Sequence, residues 1–286
     1  MTKNYSFLKQ YPVFIYYILT FAISFGGFLL IGSSGFFAGT NWETDPRFQI
    51  AVLIMLAGPP IASIILTILI SGKSGLRELF SHLSRWRVNG RWYLDALLIA
   101  PFLQALVLFI LSIFSLEFLP AIFKTNDKIS LLLPGILVGI AGGFVEELGW
   151  TGFAIPRLLK HYNALTTGVI VGILWGLWHL LQMIWVGATS YATVAPAIFL
   201  LIYFISSIAA LTAFRILMVR VYEHTESLFL LIIMHASYIF STLFVFASPI
   251  KGVPFLIYSC AFTAALWIVV AFVIKHGGFK KVVLVK

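Results

Sequence analysis

Long apolar segments recur along the whole chain and are separated by short polar stretches. Each has about the length that an α-helix needs to cross the hydrocarbon core of a bilayer, roughly 20 residues. The pattern predicts eight membrane-spanning helices, at residues 13–32, 50–71, 93–116, 130–155, 166–186, 196–218, 228–248 and 253–274. The longest polar stretch, 71–92, is a basic loop. We therefore expect a single integral membrane domain over residues 1–286.

Composition agrees with this pattern and excludes an ordinary soluble domain. Hydrophobic residues make up 61% of the chain and charged residues 10%, whereas about 25% charged residues are typical of soluble domains. The fold class predicted is an all-α polytopic membrane protein. The first span is longer than the roughly 7–15 apolar residues of a cleaved signal peptide, so we expect it to be retained. The single cysteine, Cys260, excludes a disulfide framework and a cysteine zinc site.

The basic residues are distributed unequally between the two sides that eight spans would create. Fifteen fall on one side: Lys3, Lys9, Lys73, Arg77, Arg85, Arg87, Arg91, Arg157, Lys160, Arg215, Arg220, Lys275, Lys280, Lys281 and Lys286. Four fall on the other side: Arg47, Lys124, Lys128 and Lys251. Because basic residues near span ends are retained in the cytoplasm, both termini are predicted to be cytoplasmic. The net charge of +9 then reflects orientation in the lipid bilayer, and we expect no nucleic-acid partner.

Four ionisable residues are selected as lying at membrane depth, whereas Asp95 and Glu117 lie at span ends and can reach the interface. Glu146 and Glu147 are in the fourth span, His179 in the fifth and His235 in the seventh. A charged group near the bilayer centre costs at least about 2.5–3.5 kcal/mol, so such residues are rare and usually functional. The helical rise of about 1.5 Å per residue puts all four at a similar depth. We therefore predict that they share one polar site.

Helix phase predicts which faces meet inside the bundle. Glu146 shares one face of its helix with Gly135, Gly139, Gly142 and Gly149. The fifth span has a second stripe, formed by Gly168, Gly172 and Gly176. Stripes of small residues allow helices to approach closely. Two adjacent carboxylates in low dielectric cannot both ionise cheaply, so one of the glutamates is expected to serve as a general base near pH 7. Trp175 and Trp178, beside His179, are expected to be ordinary lipid-facing aromatic residues.

Three blocks in this order resemble a known family. They are FVEELGWTGFAIPRLL at 144–159, GILWGLWHLL at 172–181 and VYEHTESLFLLIIMHASY at 221–238. The chain resembles the CPBP intramembrane proteases, also called Abi or CAAX-protease-like proteins, which include the Rce1-type prenyl-protein endopeptidases. The core of the resemblance is residues 130–245, with weaker similarity upstream at 56–63 and 71–93.

The resemblance implies a mechanism and a set of catalytic residues. Glu146 would be the general base acting on a water, and Glu147, His179 and His235 would complete the site. The cofactor stays open: zinc, held by Glu146, His179 and His235, or no metal. The implied partner is a membrane-associated or prenylated peptide or protein substrate. The implied location is the cell (plasma) membrane, as a multi-pass protein of prokaryotic origin.

The chain departs from the family pattern at two positions. The first motif is usually EExxxR, but its last position here is Thr151, so the arginine that commonly pairs with the carboxylates is missing. The third motif is usually HxxxN, but Ile239 occupies the asparagine position. Isoleucine cannot donate a hydrogen bond to an oxyanion, although Ser237 or Ser241 could partly compensate.

These departures leave three hypotheses open. The first is an intramembrane endopeptidase of the CAAX prenyl protease type, with a glutamic or metallo-type mechanism. The second is a catalytically impaired relative that acts as a membrane scaffold or partner-binding protein in envelope or immunity functions. The third is a proton-coupled transporter that uses Glu146 and the histidines as a relay. The motifs GxGxxG, GxxxxGK[ST], HExxH and GxSxG are absent, which gives no support to nucleotide-driven transport, zincins or serine hydrolases.

Overall fold

The computed structural model describes residues 7–247 and 249–280, and within these ranges the chain forms helices and no strands. The helices are α1 (Pro12–Ala38), α2 (Pro46–Leu56), α3 (Gly58–Ser81), α4 (Gly90–Phe114), α5 (Ile129–Gly149), α6 (Ala164–Trp178), α7 (Leu180–Gly187), α8 (Pro196–Thr225), α9 (Leu228–Ile239) and α10 (Gly252–Lys275). Short 3₁₀ turns lie at His82–Ser84 and Leu116–Phe118, and single α-helical turns at Ala121–Lys124 and Ile155–Leu158. Two π-helical turns, Trp150–Ala154 and Phe240–Val245, directly follow α5 and α9.

The described residues contain seven helical segments long and apolar enough to cross a membrane. An eighth is obtained if α6 and α7, which are bent by 48° relative to each other, form one span. This confirms the prediction of an all-α polytopic protein with about eight spans. The cytoplasmic placement of both termini stays a prediction. Three of the basic residues on which it rests, Lys3, Lys281 and Lys286, lie outside the described residues. The predicted end of the seventh span, at residue 248, also lies outside them.

Two of the predicted spans are less regular than the hydrophobic pattern indicates. The second extends over Pro46–Ser84 and contains both α2 and α3. Within α3, Gly72 has φ +59° and ψ −150°, in a region of backbone conformation that favours glycine. The fifth span is broken at His179, which ends α6 and precedes α7.

The glycine stripes lie at helix–helix contacts, as predicted. A Cβ atom added to Gly139 would be 2.7 Å from the Ala236 carbonyl oxygen of α9, and one added to Gly142 would be 2.8 Å from the Cδ1 atom of Ile239, also in α9. On α6, a Cβ at Gly168 would be 2.7 Å from the Cα atom of Ile216 in α8. Helix α5 therefore packs closely on α9, and α6 packs closely on α8.

Polar caps determine where two of these helices begin. Asn163 precedes α6, and its side-chain oxygen accepts a hydrogen bond from the Thr166 amide at 2.7 Å. Ser227 precedes α9, and its hydroxyl accepts one from the Leu230 amide at 3.0 Å. Each cap satisfies a backbone donor that a helix N-terminus leaves unpaired. The caps thus fix the registers of α6 and α9, which carry the two histidines of the predicted site.

The structure corrects one basic residue in the orientation count. Arg215 was counted with the cytoplasmic loops, but it lies in the interior of α8 and its side chain is fully buried. Fourteen of the fifteen basic residues on that side are therefore left to support the predicted orientation. The physical reason is that Arg215 has a buried acidic partner, so it does not have to reach the membrane surface.

Candidate active site

The two glutamates lie in the last turn of α5, where the regular helix ends. Both are buried, with 4% of Glu146 and none of Glu147 exposed. The π-helical turn Trp150–Ala154 follows at once and leads into Pro156. Single π turns inside helices are frequent at functional sites. Here the turn places Trp150 and Thr151 against the carboxylates that precede them by four residues.

Glu147 is the acceptor at the centre of a buried network from three elements. Its Oε2 atom accepts a hydrogen bond from Nη1 of Arg215 on α8 at 2.8 Å, and another from the Thr151 hydroxyl. Its Oε1 atom is 2.7 Å from Nδ1 of His235 on α9. A carboxylate in an ion pair only accepts hydrogen bonds. Nδ1 of His235 is therefore the donor, and Nε2 is left facing away from Glu147.

Glu146 has neutral donors and faces the other side of His235. Its Oε2 atom accepts hydrogen bonds from the indole N–H groups of Trp175 at 2.7 Å and Trp150 at 3.2 Å. Its Oε1 atom lies 3.9 Å from Nε2 of His235. That separation is too long for a direct hydrogen bond. Glu146 and His235 therefore present two polar atoms to one small volume between α5 and α9.

His179 lies beside this network rather than inside it. Its Nδ1 atom donates to the Trp175 carbonyl at 2.9 Å, and its ring is half-buried against Trp175 and Trp178. The Trp175 ring also contacts His235, with 5.1 Å between ring centroids. The structure thus brings Glu146, Glu147 and His235 together directly. It connects His179 to them through Trp175.

The predicted zinc option is not supported by this arrangement. Over the part of the chain that the structure describes, no group of three His, Cys, Asp or Glu side chains is placed to hold a metal ion. Two of the four glutamate oxygens already accept hydrogen bonds from nitrogen donors on tryptophan and arginine, and a third is 2.7 Å from His235. A catalytic zinc site needs three protein ligands around one point, and the described residues do not bring three together.

We expected the tryptophans beside His179 to face the lipid, but both are buried. Trp175 is 1% exposed and Trp178 is fully buried. The Trp175 indole donates to Glu146, and the Arg215 guanidinium carbon lies 4.1 Å from its ring centroid. Trp175 therefore belongs to the site. One feature of the sequence could have assigned Trp175 to the site: it lies four residues before His179, so the two side chains are on the same side of the helix.

Arg215 is the other site residue that the sequence reasoning missed. It lies inside the predicted span 196–218, so its position at membrane depth was visible in the pattern. Because Arg215 is assigned to the cytoplasmic loops in the orientation count, it is not among the ionisable residues selected at membrane depth. The acidic partner could not be identified from the sequence because Glu147 is 68 residues away.

The serines considered as substitutes for the missing asparagine are occupied elsewhere. The Ser237 hydroxyl donates to the Ala96 carbonyl at 2.7 Å, and that of Ser241 to the Ser237 carbonyl at 2.7 Å. Ile239 packs toward Gly142 on α5. No compensating donor for an oxyanion is therefore provided by either hydroxyl in this structure.

The fold and the buried Glu–His centre define a polytopic helical membrane protein with a polar site inside its bundle. Residues 128–241 match the sequence profile of a family described as type II CAAX prenyl endopeptidase Rce1-like. A curated relative, CAAX prenyl protease 2 of Methanococcus maripaludis, is 29% identical over 97 residues, which are 29% of this chain and 31% of the relative. The chain thus spans 31% of that relative's length in this match. These matches confirm the family resemblance, and the profile match includes all four predicted site residues.

Proposed function

We propose that this protein is a CAAX-type intramembrane endopeptidase that hydrolyses a peptide bond of a prenylated or otherwise membrane-associated substrate. Two findings support the proposal: the match of residues 128–241 to the Rce1-like family, and a buried Glu–His centre at the end of α5. The observation that carries the chemistry is the 3.9 Å separation between Glu146 Oε1 and His235 Nε2. A multi-pass position in a prokaryotic cell membrane is part of the same proposal.

The separation suits a water molecule that both side chains hold. Polar atoms too far apart for a direct hydrogen bond are commonly bridged by water. A water about 2.8 Å from each atom would lie beside the line that joins them. Glu146 Oε1 accepts one of its protons, and Nε2 of neutral His235 accepts the other. The lone pairs of the water oxygen are then free to attack a peptide carbonyl.

The proposed reaction uses Glu146 as a proton carrier. The water oxygen bonds to the carbonyl carbon while Glu146 takes a proton from the water. The peptide nitrogen then receives this proton, the carbon–nitrogen bond breaks, and the free amine leaves. General acid–base catalysis of this kind contributes about 100-fold to 10,000-fold in rate. The two indole donors keep Oε2 of Glu146 oriented, so that Oε1 is the atom that faces the water.

The scaffold alternative rested on the loss of two supporting groups, at Thr151 and Ile239. The first loss, that of the arginine at Thr151, is offset because Arg215 provides a cation for Glu147. The family matches do not favour the scaffold over the enzyme. The second loss remains, because Ile239 has no amide to donate to an oxyanion. One missing oxyanion donor lowers the catalytic rate by about 100-fold or more, so we expect slow turnover.

The proposal is tested with the purified full-length protein in liposomes. The probe is a farnesylated peptide that ends in a CAAX sequence, and the products are identified by mass spectrometry. We expect wild-type protein to cleave the peptide and Glu146→Gln to lose at least about 100-fold in rate. The matched control is Glu43→Gln, an exposed carboxylate in the loop between α1 and α2, which should retain wild-type activity. No cleavage by wild-type protein would favour the scaffold, and equal nonzero rates for Glu146→Gln and wild type would contradict the role given to Glu146.

A further inference from the structure

Arg215 occupies the chemical role of a residue that is missing from its usual place. The family pattern that this chain resembles has an arginine four residues after the second glutamate, where this chain has Thr151. In the structure the Thr151 hydroxyl and Nη1 of Arg215 both donate to the same oxygen, Oε2 of Glu147. A cation has therefore been supplied to Glu147 from α8 instead of from its own helix.

Arg215 and Glu147 form an ion pair that is buried inside the helical bundle. Both side chains are fully buried, and an isolated buried charge is strongly unfavourable. The Arg215 guanidinium also lies over the face of Trp175, at 4.1 Å from the ring centroid. Its Nε and Nη2 atoms are buried without a hydrogen-bond partner among the described residues. Its polar contacts to the protein are therefore concentrated on Glu147.

The ion pair determines which nitrogen of His235 carries the proton. Because Arg215 keeps Glu147 in its acceptor form, Glu147 Oε1 accepts a hydrogen bond from Nδ1 at 2.7 Å. Nε2 is then the unprotonated nitrogen, and it faces Glu146. Without the cation, a buried carboxyl group is expected to retain a proton and to donate it toward Nδ1. The proton of the ring would then have to be on Nε2.

We propose that Arg215 is a positioning residue that replaces the motif arginine and, through Glu147, fixes the orientation and the tautomer of His235. The inference rests on the proposed function, in which Nε2 of His235 accepts a proton of the attacking water. Arg215 itself does not contact that water. Its effect is transmitted along the chain of contacts Arg215–Glu147–His235, because the hydrogen bond made at one ring nitrogen of a histidine sets which nitrogen carries the proton.

The first test reads the tautomer directly and does not require catalysis. Protein labelled with ¹⁵N-histidine is reconstituted in liposomes, and the His235 nitrogen signals are assigned by comparison with His235→Gln. We expect the proton on Nδ1 in wild type and on Nε2 in Arg215→Met. The control is Arg220→Met, five residues further along α8, because loss of its partly exposed pair with Asp95 should leave the tautomer unchanged. A folded Arg215→Met protein with the proton still on Nδ1 would overturn the inference.

The second test restores the cation from the motif position. Residues 147 and 151 are one helical turn apart, so an arginine at 151 can pair with Glu147. Thr151→Arg alone would place two guanidinium groups near one carboxylate, so we expect it to be impaired. The double variant Thr151→Arg with Arg215→Met should recover the wild-type tautomer, fold in detergent, and cleave faster than either single variant by about 10-fold or more. A double variant worse than both singles would contradict the replacement.

A third variant decides the matter if Arg215→Met does not fold. Because one guanidinium nitrogen makes the hydrogen bond to Glu147, Arg215→Lys preserves the charge and can supply one donor. We expect it to fold and to keep the proton of His235 on Nδ1. Loss of that tautomer in folded Arg215→Lys would count against the inference. Wild-type protein that shows the predicted tautomers but cleaves no peptide would leave the positioning role supported and contradict the proposed function instead.

Discussion

Arg215 and Glu147 form an ion pair between α8 and α5, with 2.8 Å between Nη1 and Oε2 and neither side chain exposed. The pair connects two packing units of the bundle, α5 with α9 and α6 with α8. It also connects the site to the core, because the Arg215 guanidinium lies over Trp175, whose indole donates to Glu146. The stability of the fold and the geometry of the site therefore depend on the same contact.

Breaking this pair should destabilise the protein far more than breaking a partly exposed pair. Glu147→Gln leaves a buried guanidinium without its counter-charge, which costs about 3–5 kcal/mol. Asp95→Asn, which removes the partner of Arg220 where Asp95 is 32% exposed, should cost about 1 kcal/mol or less. Unfolding in detergent, followed by tryptophan fluorescence, gives the two free energies. Similar losses for the two variants would show that the Arg215–Glu147 pair is not desolvated as the structure has it.

The hydrophobic pattern was sufficient for the number of spans because each helix must satisfy its backbone hydrogen bonds within itself in lipid. It was not sufficient for the breaks at Gly72 and His179, which depend on local backbone geometry. The four candidate site residues could be selected because few charged residues occur at membrane depth. Arg215 and Trp175 could not be assigned, since their roles depend on contacts between distant helices. The orientation count failed at Arg215 for the same reason.

The indole N–H of Trp175 should contribute to catalysis by orienting Glu146. Trp175→Phe keeps an aromatic ring under Arg215 but removes the 2.7 Å hydrogen bond to Oε2. Hydrogen bonds to charged groups are worth about 1.5–3 kcal/mol, so we expect peptide cleavage to slow by about 10-fold to 100-fold. The control is Trp267→Phe, whose indole donates to the Ala209 carbonyl near the bundle surface. An unchanged rate in Trp175→Phe would mean that Glu146 is oriented without this donor.

The close contact between α5 and α9 should be intolerant of a single added methyl group. In Gly143→Ala the new Cβ atom would be 2.8 Å from the Ile232 carbonyl oxygen and 3.5 Å from the His235 Cβ atom. We expect a loss of stability of about 1–3 kcal/mol from overpacking, and slower cleavage because His235 is pushed away from Glu146.

The matched control for that substitution is Gly26→Ala on the exposed side of α1, where no atom lies within 4 Å of an added Cβ. Alanine is favoured over glycine in helix interiors by about 0.5–1 kcal/mol, so this variant should be as stable as wild type or slightly more so. If Gly143→Ala behaved like Gly26→Ala, the close approach of α5 to α9 would be wrong.

The loop between α1 and α2 should make stability depend on pH. Hydrogen bonds from the Arg47 side chain, at 2.8 Å from Nε and 2.6 Å from Nη2, hold the pKa of Asp45 well below its usual range. Asp45 also accepts from Thr40, whose carbonyl accepts from Trp185 of α7. A carboxyl with a lower pKa in the folded state binds fewer protons there than in the unfolded state, so its stabilising contribution is full above about pH 4 and is lost as the pH falls further.

Asp45→Asn removes this titration while keeping the size of the side chain. We expect the variant to be less stable than wild type at pH 7 and to lose less stability between pH 5 and pH 3. Thermal unfolding in detergent across that range measures both effects. Parallel stability curves for the two proteins would mean that Asp45 does not carry the pH dependence assigned to it.

The most direct test of the account is a single-turnover cleavage in water enriched in ¹⁸O, with enzyme in excess over a farnesylated CAAX peptide. If Glu146 activates a water, the new carboxyl group of the first product carries one ¹⁸O atom, and Glu146→Gln yields no product in the same time. A first product without ¹⁸O would show that a protein oxygen attacks the peptide bond, and it would contradict the role given to Glu146.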